Sequence, residues 1–82
     1  MHKYYLEFIL HAYDLTASVL EQRLRKFGED LEIFELSADN PEKGKNFRIH
    51  IRSDTPTIIF DACAQFGRLK SVKIDEESSE KV

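Results

Sequence analysis

An 82-residue chain with 41% hydrophobic residues has material for one domain, near the lower end of sizes that fold without disulfides or metals. Its single cysteine excludes an intrachain disulfide and points to a reducing, cytoplasmic compartment, and its apolar runs are too short for a signal peptide or a membrane span. Twelve basic against fifteen acidic side chains, a net charge of −3, disfavour nonspecific attraction to nucleic acid or to an anionic membrane.

A first strand is predicted over His2 to His11, where Tyr4, Leu6, Phe8 and Leu10 alternate with Lys3, Tyr5, Glu7, Ile9 and His11. The first set suits a core, which leaves Tyr5 and Ile9 on an open face. Asp14 is the expected N-cap of a helix over Leu15 to Phe27, with Ala17, Leu20, Leu24 and Phe27 on one stripe and Gly28 as a left-handed stop. Leu31 to Ser37 reads as a strand with apolar residues on both parities, Leu31 and Ile33 against Phe34 and Leu36, so the pattern leaves open which pair faces the helices. Ala38 to Gly44 is turn chemistry joining two strands as a hairpin.

The next strand is the most regular, with Phe47, Ile49 and Ile51 alternating with Asn46, Arg48, His50 and Arg52. Ser53, Asp54 and Thr55 offer caps and Pro56 suits the first helical position, so a second helix is predicted from Pro56. Ile58, Ile59, Ala62, Cys63 and Phe66 form its expected buried stripe, and Gly67 its left-handed stop. A last strand follows over Arg68 to Asp75, with Val72 and Ile74 turned to the core, Ser71 and Lys73 to the open face, and Leu69 under the end of the helix. The domain is thus predicted over residues 1–75, with a charged tail at 76–82 expected to be mobile.

Strand and helix alternate as βαββαβ, two copies of one plan. This order predicts an α+β, ferredoxin-like two-layer sandwich: a four-stranded antiparallel sheet, its first and third strands central, with both helices on one face. The open face would carry Tyr5, Glu7, Ile9 and His11 beside Arg48, His50 and Arg52, with Glu7 in reach of Arg48 or His50. These seven residues are the candidate ligand or interface face. Tyr5, Ile9 and one apolar pair of the second strand make a patch that a monomer has little reason to expose, so a homodimer or larger assembly is expected, through sheet faces or edges.

Catalysis is not expected. No Ser/His/Asp or Cys/His set converges, and three glycines build no phosphate loop. His2, His11 and His50 lack metal-ligand spacing and Cys63 sits on an apolar stripe, so neither a metal nor a cofactor is predicted. An RNA recognition motif would need Phe47 outward, which would drive Arg48, His50 and Arg52 inward.

The element order over Lys3 to Asp75, with the close Phe66-Gly67-Arg68-Leu69-Lys70-Ser71-Val72-Lys73-Ile74, resembles ACT-like regulatory domains and their relatives, including the C-terminal domain of the nickel-responsive repressor. That resemblance implies a noncatalytic module that self-associates through its sheet and senses a small molecule at the interface. The turn after the first strand carries a glycine in ACT domains and none over His11 to Leu15 here, so no ligand residue carries over. The alternative is a binding module for nucleic acid or a protein partner that uses the Arg48, His50 and Arg52 row.

Overall fold

A computed structural model of the chain describes residues 4–36 and 43–76. Its elements are β1 (Tyr4–Ala12), α1 (Ala17–Leu24) with a 3₁₀ turn at Arg25–Phe27, β2 (Glu29–Leu36), β3 (Lys45–Ser53), α2 (Pro56–Ala64) and β4 (Gly67–Glu76). Residues 1–3, 37–42 of the hairpin loop and 77–82 of the tail lie outside the described residues. Glu76, assigned above to the tail, is instead the last residue of β4.

The four strands form one sheet in the order β2-β3-β1-β4, and every neighbouring pair is antiparallel. β3 and β4 are therefore parallel to each other with β1 between them, as the crossover through α2 requires. This is the ferredoxin-like α+β sandwich. β1 and β3 pair without interruption from Tyr4 opposite Ser53 to Ala12 opposite Lys45. Leu6, Phe8, Leu10 and Ala12 of β1 and Phe47, Ile49 and Ile51 of β3 are fully buried in one cluster with Leu20 and Leu24 of α1 and Ile59 and Cys63 of α2. The helices thus cover one face only, and the alternate residues of β1 and β3 are left on the other.

The ends of the helices depart from the sequence expectation. Thr16, not Asp14, caps α1: its Oγ1 accepts a hydrogen bond from the Val19 amide at 3.3 Å, while Asp14 takes a left-handed φ of 52° in the turn. The helix is also shorter than predicted, because its last turn tightens to 3₁₀ at Arg25–Phe27. Neither Gly28 nor Gly67 is a left-handed stop; Gly28 is extended, with φ −173°. Both positions need glycine for another reason. A Cβ on Gly28 would collide with the backbone oxygen of Arg52, and one on Gly67 with that of His11, so each helix re-enters the sheet by a close backbone approach to a central strand. The two halves repeat this device.

Ser53 ties the halves together. Fully buried at the end of β3, it donates its hydroxyl to the Phe27 carbonyl at 2.9 Å and accepts the Thr55 amide at 2.9 Å. Thr55 stands at the N-cap of α2 without a side-chain cap bond, so the polar run before Pro56 acts through Ser53.

Three apolar residues expected in the core are not there. Ile58, Val72 and Ile74 are 46%, 45% and 48% exposed. β4 is an edge strand whose register shifts opposite Glu7 to Ile9, and Ser71, at φ 52°, occupies the irregularity. Lys70 and Lys73, not Ser71 and Lys73, therefore lie opposite Ile9 and Glu7 on the open face. Ile74 still pairs with Leu6 on the helix side, but only Ile59 and Cys63 of α2, one turn apart, are fully buried, and Ile74 stays half in solvent.

Two outcomes follow from this packing. Ile49→Ala should cost about 2–5 kcal/mol of unfolding free energy in a denaturant titration, whereas Ile74→Ala should cost less than about 1 kcal/mol. Burial pushes the Cys63 thiol up from an ordinary 9.0 to about 12, so folding favours the neutral form. Its contribution to stability is complete below pH 9 and is lost as pH climbs from there towards 12. At pH 8 a thiol-directed reagent should label Cys63 in denaturant and leave the native thiol unmodified.

Candidate functional site

The register places the open face residue by residue. Its central row runs Glu32, His50, Glu7, Lys73 across β2, β3, β1 and β4. The row towards the hairpin loop runs Phe34, Arg48, Ile9, Lys70, and the row on the other side carries Arg52, Tyr5 and Asp75. All seven candidate residues, Tyr5, Glu7, Ile9, His11, Arg48, His50 and Arg52, share this face, opposite the buried parity of their strands.

His50 is the hub. Tyr5 Oη and His50 Nδ1 share a hydrogen bond of 2.8 Å, and the two rings meet edge to face with centroids 5.8 Å apart. Phe34 meets the imidazole from the other side, with centroids 6.0 Å apart. Glu32 Oε1 lies 3.7 Å from Nδ1 and Glu7 Oε2 3.8 Å from Nε2, so each ring nitrogen faces a carboxylate. Nε2 is shielded from solvent yet beyond hydrogen-bond distance of Glu7. The cross-strand contact expected for Glu7 is thus made to His50, its direct register partner.

The other candidates lie around this hub. Arg48 and Arg52 flank His50 on β3, and Arg52 Nη1 reaches Asp30 Oδ2 at 3.6 Å. Ile9 lies opposite Arg48. His11 is four residues along β1 from Glu7, about 13 Å away at strand spacing. There its Nε2–H donates to the Lys43 carbonyl at 2.7 Å and its ring edge meets Tyr13 at 5.3 Å. Gly44, at φ 95°, lets the chain pass this imidazole, since a Cβ there would strike His11 Nε2 and the Ala12 oxygen.

Glu32 and Phe34 complete the site and were not among the candidates. Leu31 and Ile33 pack against the core, so β2 turns Glu32, Phe34 and Leu36 to the open face and leaves Phe34 50% exposed. The sequence signal was the double parity of β2, which alternation alone could not resolve.

Chemically the face can pair charges, stack on aromatic edges and exchange hydrogen bonds at one imidazole. Among the described residues no group of three or more His, Cys, Asp or Glu is arranged to hold a metal ion, and no helix is long and apolar enough to cross a membrane. Among curated proteins, none matches the chain. A family model for the middle domain of FakA-like proteins, named for a subunit of fatty acid kinase, matches residues 1–80, nearly the whole of the 82-residue sequence, and the chain therefore belongs to the FakA-like middle-domain family.

Proposed function

We propose that this domain is a noncatalytic association module: copies join through their sheets, and the open face receives a small effector or a neighbouring protein. The observation that carries the reading is Phe34, half-exposed on the open face of the edge strand β2, in one row with Ile9 and in edge contact with His50. An aromatic so placed adds exposed apolar surface to a face already carrying Tyr5 and Ile9, which is the surface that docking removes from water. A family named for the middle domain of a kinase subunit fits a part that holds an assembly together. The resemblance to ACT-like regulatory domains supports an effector at the interface, and the single cysteine supports a reducing, cytoplasmic setting.

Docking of a different protein subunit is the second reading, favoured by the mixed signs on the face: Arg48, Arg52, Lys70 and Lys73 alternate with Glu7, Glu32 and Asp75. Such interleaving suits a protein surface with its own mixed charges. It is poorly suited to a polyphosphate backbone, because Glu7 and Glu32 sit between the cations.

Sedimentation at about 100 μM, well above the dissociation constants of stable dimers, tests the first reading, and native mass spectrometry of the same sample reports any retained ligand. The expected result is a dimer or larger species. A clean monomer at that concentration would remove self-association and leave the partner-docking reading.

A further inference from the structure

We infer that two copies of the domain join along the outer edge of β4, with Ile74 on the twofold axis, to make a continuous eight-stranded sheet. The inference rests on the self-association reading and names where the copies meet. The two edges of this sheet are unlike. β2, at one edge, carries Glu29, Asp30, Glu32 and Glu35 within eight residues, and its register shifts between Glu29 and Glu32, with Asp30 at φ 55°. Two copies of β2 laid side by side would bring carboxylates together on a distorted strand, the usual protection of an edge. β4, at the other edge, pairs regularly with β1 from Lys73 to Glu76 beyond its irregularity, with Ile74 about half-exposed on the helix side and Val72, at the end of the irregularity, equally exposed.

Register then selects the arrangement. In a twofold antiparallel pair, opposed residues must share a face, so only same-parity residues can meet. With Lys73 on the axis, its ammonium would face Lys73 of the partner subunit. With Val72 on the axis, the irregular Ser71 would have to pair. With Ile74 on the axis, Ile74 meets Ile74 of the partner subunit on the helix side, while Lys73 meets Asp75 of the partner subunit on the open side, twice by symmetry. Lys73 and Asp75 are on the open face in the monomer, opposite Glu7 and Tyr5. Opposite charges directly across two strands stabilise the pair and like charges oppose it, so the charge pattern fits a second copy of this chain in one register. The pairing leaves the row from Phe34 to Lys70 uncovered in both copies and sets two open faces side by side.

Five residues a side is less than a standard interface, so the dimer should have a dissociation constant of about 1–100 μM. Sedimentation of the whole chain across that range is the test, with thermal melts as a check on folding. Ile74→Glu should give a folded monomer, since Ile74 is already half in solvent. Lys73→Asp and Asp75→Lys should each weaken association at least about tenfold, and the double exchange should restore it to within about threefold of the original, because the opposed pairs are merely reversed. Association that survives Ile74→Glu would keep self-association and overturn the β4 edge. Dissociation by Ile9→Glu with Ile74→Glu still dimeric would place the contact on the open face and overturn it as well. A species that keeps growing with concentration would indicate β4 meeting β2 head to tail, against the closed dimer. A wild-type monomer at about 100 μM would overturn this inference together with the reading it rests on.

Discussion

The uninterrupted pairing of β1 with β3 is the constraint from which the rest of the molecule follows. Nine consecutive partners, with no irregularity, lock the parity of both central strands. A slip of one residue would turn one of the two strands over, driving either Tyr5, Glu7, Ile9 and His11 of β1 or Arg48, His50 and Arg52 of β3 into the core. Burial of apolar area would not offset the ionisable side chains placed there without water. The same register that makes the core therefore assembles the hub around His50, and the two cannot be altered separately.

Around this pair the chain uses one solution twice. Each helix returns to the sheet through a glycine pressed against a central strand, Gly28 on β3 and Gly67 on β1, and the absent Cβ is what lets each outer strand start where it does. The outer strands are also where regularity is lost, at Asp30 in β2 and Ser71 in β4, both with left-handed backbone. A sheet of this shape can be strict at its centre and permissive at its edges. Specific chemistry gathers on the strict strands and adaptable contact surface on the permissive ones.

How much of this is legible in the sequence follows the same division. Alternation in β1 and β3 reveals their faces, and with them all seven open-face residues, because period two has one reading when the core parity is purely apolar. β2 has apolar residues on both parities, and only the packing of Leu31 and Ile33 against the core decides that Phe34 and Glu32 are outward. Val72 and Ile74 look like core by the same alternation, but alternation reports which side a residue faces, not whether anything lies over it. The glycines read as helix stops because Gly after a helix is usually left-handed; close approach between backbones is a tertiary fact without a local signature. Thr16 prevails over Asp14 as a cap for a similar reason, since the turn from β1 uses Asp14 to change direction before the helix can begin.

The pairing of Tyr4 with Glu76 has a consequence for how such a domain can be housed. The polypeptide enters the sheet on β1 and leaves it on the adjacent β4, at the same end, about one strand spacing of 4.8 Å apart. Any sequence joined ahead of Tyr4 and any joined after Glu76 would thus emerge together. A module with that geometry behaves as a cassette: it can be spliced into a surface loop of a host polypeptide without prising the host's own ends apart, and a rotation of the whole cassette about that narrow double tether would carry its face through a wide arc.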